Sequence, residues 1–255
     1  MLGGHLETKL YSYSKSLNKN VDELRILVCI SGGLDSCVLL DIIFKLSCKL
    51  KFKLNAAHVN YAYHNRSGVM SNHCYEISKF LNIKLFTLNV KKNEYSNFNF
   101  EAKARQIRYN FFDKIDKVEK YDLILTAHHE MDQIETIIMK TIQNTSWISK
   151  IGIREFKGKI RRPLLQIGKA AIQDYAKSNK IVFYDDPSNN DYTRLRNCIR
   201  LVLKNVTSNK AKSYYLNISK QSLYRFNTSM QTLDKSKVSL NKSYIKINKI
   251  FFISL

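Results

Sequence analysis

Ile26-Leu27-Val28-Cys29-Ile30 runs straight into Ser31-Gly32-Gly33-Leu34-Asp35-Ser36, and this junction decides the fold. Five apolar residues bounded by Gly-Gly read as a buried parallel strand. Beyond it, Val38, Leu39, Ile42, Ile43 and Leu46 recur at helical spacing. A strand, a Ser/Gly turn and a helix N-terminus together build an anion site, because backbone N–H groups and the helix dipole converge on phosphate. Two glycines let the backbone come close to a ligand, and Ser31 and Ser36 add hydroxyl donors. Asp35 puts a carboxylate where phosphate charge would sit, which suits Mg2+ shared between the two. The plainer alternative is an ordinary strand–turn–helix junction with Ser and Asp as caps. Neither GxxxxGK[ST] nor GxGxxG occurs, and 8 glycines in 255 residues leave little room for either.

Working outward, strand-like runs at residues 25–30, 53–59, 83–90 and 121–127 alternate with helical patterns near 36–48, 68–82, 99–118 and 131–143. The alternation predicts an α/β fold, a parallel twisted sheet with helices on both faces and ligands at the carboxyl ends of the strands. Those ends carry Ser31–Ser36, His58–Asn60 and Thr126–Glu135. A further unit follows: Arg162-Pro163-Leu164-Leu165, a helix near 168–179, the apolar run Ile181–Tyr184 and a turn-rich loop over Asp185–Asn190. The pattern weakens after about residue 205, so the expected domains are 1–205 and a small carboxyl-terminal extension over 206–255. Within that extension, 213–230 reads as an amphipathic helix and 243–254 as a strand.

The net charge is +21. An excess of that size favours a polyanionic partner, nucleic acid before membrane. The Lys-, Asn- and Ile-rich composition of an AT-rich genome would also raise it. Five cysteines (Cys29, Cys37, Cys48, Cys74 and Cys198) with no CxxC pair point to a reducing compartment, with neither a disulfide framework nor a structural zinc. No span approaches a membrane helix, and the first twenty residues lack an apolar signal core. The expected location is the cytoplasm, or the stroma of an organelle.

Three segments carry further chemistry. Arg105 and Arg108 lie three apart on a helix that begins with Glu101, so together they would clamp a phosphate or form a solvated charged face. His128, Asp132 and Glu135 fall at i, i+4 and i+7, one helical stripe, and suit Mg2+ or the ammonium of an amine better than zinc, since HExxH is missing. Arg196 and Arg200, four apart, make a second basic face, another phosphate or RNA contact.

Together these segments resemble the tRNA(Ile)-lysidine synthetases, members of the PP-loop (N-type) ATP pyrophosphatases. The match runs through SGGxDS, His58-Val59-Asn60, EAxARxxRY at Glu101–Tyr109, the block Ala127–Thr136, RPLL at Arg162–Leu165, and Asp186–Arg200. Order and spacing hold over about residues 22–205. The resemblance implies ATP-dependent ligation of free lysine to C2 of the wobble cytidine of an isoleucine tRNA with a CAU anticodon, through an adenylated tRNA. It implies that Ser31, Gly32, Gly33, Leu34, Asp35, Ser36 and His58 bind ATP, and that Asp35 and Asp132 hold Mg2+. Asp132 and Glu135 would take lysine, Arg108 and Arg196 would serve adenylation beside Asp35 and Asp132, and Lys103, Arg105 and Arg200 would contact tRNA. A homodimer is compatible with the sequence. The family's first Asp of Asp-Asp-Gln is Met131 here, and its glycine-rich stretch reads Gln143–Ile151. A PP-loop tRNA thiolation enzyme, or a noncatalytic RNA-binding remnant, are the alternatives.

Overall fold

A computed structural model describes residues 2–62, 66–91, 100–186, 191, 194–205 and 209–235. The first half runs α1 (Leu2–Ser16), β1 (Arg25–Ile30), α2 (Leu34–Leu50), β2 (Lys53–Asn60), α3 (Ser67–Phe80), β3 (Leu85–Asn89) and α4 (Phe100–Glu119). Then come β4 (Leu123–Leu125), α5 (Glu130–Ile142), β5 (Phe156–Lys157), β6 (Ile160–Arg161), α6 (Lys169–Ser178), α7 (Leu195–Asn205) and α8 (Asn209–Lys235). The chain forms two compact units, residues 1–130 with 155–191, and residues 131–154 with 192–255. Of the expected extension over 206–255, the described part is α8, which falls in the second unit. The expected strand at 243–254 and most of the Asp185–Asn190 loop lie outside the described residues.

The first unit is the expected α/β layer. Its sheet has the order β3-β2-β1-β4-β6-β5, parallel throughout except for the β5–β6 pair. Successive side chains of a strand point to opposite faces, and β1 divides its residues accordingly. Ile26, Val28 and Ile30 enter one core with Leu6 and Leu10 of α1, Leu39 and Ile43 of α2, and Ile172 of α6. Leu27 enters the opposite core with Phe112 and Ile115 of α4. β4 alternates in the same way, Leu123 and Leu125 against Ile124. Both faces of β1 are therefore covered, which is why its sequence is an unbroken apolar run rather than an alternating one. Each such Leu or Ile stabilises the fold by roughly 1.5–3 kcal/mol on burial.

Three elements, α1, β5 and β6, were not foreseen in the sequence expectation. α1 has no counterpart in it, although Leu6, Leu10 and Tyr13 form a buried i, i+4, i+7 stripe. β5 and β6 are two residues each, too short for any period to register. The apolar run Ile181–Tyr184 pairs with no strand among the described residues; the Tyr184 N–H donates to the Gly32 carbonyl at 2.9 Å.

The second unit is helical. Residues of α5 from Met131 onward, a 3-10 turn at Ser149–Ile151, α7 and α8 bury Ile134, Ile137, Ile151 and Ile199. Gln133 ties the unit together. Its amide donates to the Ile151 carbonyl (2.9 Å) and to Ser219 Oγ (2.8 Å), and its oxygen accepts the Ile153 N–H (2.6 Å). Gly152, at φ 74°, passes so close that a Cβ there would meet Gln133 Oε1 at 2.7 Å. The stretch Gln143–Ile151 thus lacks the family's glycines yet is anchored, with Arg225 stacked 5.0 Å over the Trp147 ring.

Candidate active site

The chain places β1 between β2 and β4, runs outward to β2 and β3, and then returns to the other side of β1. In an open α/β sheet the crevice at such a reversal, outside the carboxyl ends of the strands, is where ligands bind. Ser31–Ser36 leaves β1 there, and Thr126–His129 leaves β4.

Gly32 makes the turn at φ 81°, and a Cβ on it would come within 3.1 Å of the Met70 carbonyl. Gly33 is the N-cap of α2, and no side chain caps the helix. The N-terminal N–H groups of α2 are therefore left to a ligand or solvent, the condition an anion site needs. Two serines stiffen the loop. Ser36 Oγ donates to the Gly33 carbonyl (2.9 Å) and accepts the Ser31 N–H (3.1 Å), and the two hydroxyls lie 3.1 Å apart.

Asp35 sits in the first turn of α2, where the helix dipole favours a negative charge. Lys169, the first residue of α6, places its ammonium 2.5 Å from Asp35 Oδ1, and His129 Nε2 lies 3.6 Å from Oδ2. Burial alone would raise the Asp35 pKa; His129 and Lys169 outweigh it and hold the carboxyl below its ordinary value. A carboxylate ionised at neutral pH beside uncapped helix N–H groups fits Mg2+ carried in on nucleotide phosphates, since that ion is held by one or two carboxylates plus phosphate. Lys169 escaped the sequence reading because its signal, one lysine at a helix start, is commonplace.

His58 ends up buried at the carboxyl end of β2. Its Nδ1–H donates to the Ile30 carbonyl at 3.0 Å, leaving Nε2 as a buried acceptor with no hydrogen-bond partner among the described residues. Burial lowers its pKa and so favours the neutral ring, outweighing the bond to Ile30, which pulls the other way. A neutral acceptor of this kind fits an amino group of a base. His128, expected on one helical stripe with Asp132 and Glu135, lies before α5 begins; its Nδ1 is 3.0 Å from Thr126 Oγ1. Cys37 and Cys74 lie behind the loop, Cys74 Sγ being 3.5 Å from a Cβ built on Gly32. Burial pushes the Cys37 thiol up to about 12 and raises that of Cys74 as well. Both stay protonated at neutral pH, a poor state for sulfur transfer.

Asp132, the second expected metal ligand, belongs to the other unit with Glu135, Arg196 and Arg200. There Glu135 is buried to 1% and both its oxygens are taken: Arg196 Nε donates to Oε2 at 2.8 Å and Arg200 Nε to Oε1 at 2.7 Å. Arg196 also donates to Thr136 Oγ1 (3.2 Å), and Arg200 lies 3.6 Å from Asp132 Oδ1. An ammonium expected at Glu135 would have to compete with Arg196 and Arg200 for these oxygens. A carboxylate committed to two guanidinium groups orients them. Arg200, expected to contact RNA, is 33% exposed and pairs with Glu135. Asp132 is the more exposed of the two acids, at 15%.

On α4, Lys103 and Arg105 are exposed, as an RNA contact requires. Arg105 stacks 5.1 Å over the Tyr109 ring, Lys157 lies 5.0 Å over it, and Arg162 donates to the Tyr109 hydroxyl at 3.0 Å. Arg108 donates to the Tyr61 hydroxyl at 3.2 Å.

A parallel sheet whose first strand feeds a glycine turn and an uncapped helix defines a class of α/β protein. A family model described as the PP-loop domain matches residues 6–207, and the chain belongs to that family. Among curated proteins it is similar to the tRNA(Ile)-lysidine synthase of Enterococcus faecalis, 33% identical over 187 residues, covering 70% of this chain and 40% of that one. The tRNA(Ile)-lysidine synthase of Clostridium perfringens is 35% identical over 191 residues, covering 73% and 40%. The chain spans about two fifths of the length of these relatives. Among solved structures, the U34-tRNA thiolase NcsA from Methanococcus maripaludis is similar in fold, with TM-score 0.63 at 16% identity, covering 86% of this chain and 79% of that one. No helix among the described residues is long and apolar enough to cross a membrane.

Proposed function

We propose that the protein ligates free lysine to C2 of the wobble cytidine of an isoleucine tRNA with a CAU anticodon, using ATP. The observation that carries the reading is the Ser31–Ser36 turn. It enters α2 from Gly32 at φ 81°, with Asp35 ionised in the first helical turn. The likeness to lysidine synthases over about 70% of the chain supplies the substrate class.

In this reading Ser31, Gly32, Gly33, Leu34 and Ser36 cradle the phosphates, and His58 Nε2 accepts from the base. Asp35 would hold Mg2+, which neutralises phosphate charge and makes pyrophosphate a better leaving group. The C2 oxygen of the cytidine attacks the α-phosphorus; the new P–O bond forms as pyrophosphate departs. Charge gathers on the phosphate oxygens during this step, and Arg108 and Arg196 are the cations assigned to it. Glu135 and Arg200 hold Arg196 in place. The lysine amine, recruited as ammonium by Asp132, must lose a proton before it can attack C2. A C–N bond then forms, the C2–O bond breaks and AMP leaves. Lys103 and Arg105 contact the RNA backbone, and cytoplasm or stroma is the setting. The small extension over 206–255 is retained as part of this proposal.

Mass spectrometry of nucleosides from transcribed tRNA incubated with protein, ATP, Mg2+ and lysine tests the reading. A cytidine carrying lysine is expected. Unmodified or sulfur-modified cytidine refutes it.

A further inference from the structure

The strongest unexplained contact in the first unit is that between Lys169 and Asp35. We propose that Lys169 is a binding residue for the pyrophosphate end of the nucleotide, and that it rests on Asp35 until a divalent cation takes that carboxylate. The inference rests on the ATP reading of the loop and names a residue and a ligand moiety that the sequence motifs do not.

Three observations carry it. Lys169 Nζ lies 2.5 Å from Asp35 Oδ1, and His129 Nε2 lies 3.6 Å from Oδ2. A divalent cation bound at Oδ1 would compete with the ammonium that already rests there. His129 is buried, its side chain 7% exposed, whereas Lys169 is 34% exposed on a flexible four-carbon stem. Lys169 is therefore the group that moves.

Its position decides where it goes. Lys169 is the first residue of α6, N-capped by Gly168 with no side-chain cap. A Cβ built on Gly168 would lie 3.9 Å from Glu130 Oε1, and the Glu130 N–H donates to the Ile167 carbonyl at 3.1 Å. These contacts hold the start of α6 against Glu130, the first residue of α5, so the ammonium can swing only as far as its own stem reaches. A triphosphate carries about four negative charges, of which Mg2+ cancels two. The nearest group able to offset the remainder is the ammonium just released. Asp35 thus serves as a placeholder partner that keeps Lys169 poised, while the lysine keeps the carboxylate from repelling the incoming phosphates.

The test measures three equilibria on the full chain and on Lys169→Ala and Lys169→Arg. The probes are Mg2+–pyrophosphate with the α,β-methylene analogue of ATP, AMP, and Mn2+ without nucleotide. Lys169→Ala should weaken pyrophosphate and the analogue by about 10- to 30-fold, the loss of one charge-assisted contact. AMP, which lacks the pyrophosphate end, should change by less than about twofold. Mn2+ should bind several-fold more tightly, because its competitor for Asp35 is gone. Lys169→Arg, which keeps the charge, should restore most of the pyrophosphate affinity. A lysine that merely braced the loop would lower all three affinities together, and that result overturns the inference. So does unchanged pyrophosphate binding. A wild-type protein that binds none of the nucleotide probes refutes the ATP reading itself, a failure visible before any variant is made.

Discussion

Replacing Glu135 by Gln keeps the shape of the side chain and removes its charge, and the structure allows the cost to be estimated. The carboxylate is 1% exposed and accepts two charge-assisted hydrogen bonds, at 2.8 and 2.7 Å. Gln can still accept from one arginine, but its amide N–H2 then faces the other guanidinium. Breaking a fully buried pair costs about 3–5 kcal/mol. Arg196 and Arg200 are 28% and 33% exposed, so water recovers part of that, and about 3 kcal/mol is expected. For a chain of this size the midpoint should fall by roughly 6–12 °C. The assay is built in: Trp147 is the single tryptophan and belongs to the second unit, so its fluorescence follows the unfolding of the part that contains Glu135. A cycle with Arg196→Gln should return a coupling of about 1–3 kcal/mol. A loss below about 1 kcal/mol for Glu135→Gln would mean the arginines find other partners at no cost, and the keystone role assigned to Glu135 would be wrong.

Three other outcomes are expected. Because burial lowers the His58 pKa below its ordinary 6.5, the unfolded chain binds the proton more readily; stability is full above pH 6.5 and falls as pH drops below it. Urea midpoints for His58→Asn should therefore lose the part of the acid-side decline that wild type shows just below pH 6.5; parallel profiles would count against a buried neutral ring. Gly152→Ala should cost about 2–4 kcal/mol, since it adds a Cβ 2.7 Å from Gln133 Oε1 to the strain of φ 74°, whereas Gly158→Ala, at φ 55° in open space, should cost only about 1–2 kcal/mol. Equal costs at the two glycines would remove the argument for Gln133 as an anchor. If the basic surface neutralises roughly six phosphates, tRNA affinity should fall with salt at a log–log slope near −4 to −5, and Lys103→Ala or Arg105→Ala should each reduce it by about one; a slope near zero would make the +21 charge compositional.

The central strands were legible because burial on both faces writes itself into the sequence as an apolar run: β1 is Arg25–Ile30, where residues 25–30 were expected. The Ser31–Ser36 turn was legible because a glycine pair and two hydroxyls before a helix leave few other uses for them. β5 and β6 were not, since a two-residue strand owes its existence to the edge of β4 and not to its own residues. The role of Glu135 was hidden for a related reason. Its partners lie 61 and 65 residues away, on another helix, and spacing within α5 says nothing of what faces it. Local pattern placed the acids on a helix and left open which of them would be spoken for.

The contact between Asp35 and Lys169 also sets an order of events during synthesis. The two residues are 134 positions apart. At about 5–20 residues per second, the loop waits roughly 7–27 s for its counter-charge to be translated. Tyr184, whose N–H closes on Gly32, comes later still. A nascent chain therefore carries the whole SGGxDS turn, with an uncompensated carboxylate, well before it carries the groups that finish the pocket. Nucleotide capture is in this way deferred to the last part of the first unit to emerge, and a ribosome that stalls between those positions holds a fragment that looks complete in sequence motif and is not yet able to bind.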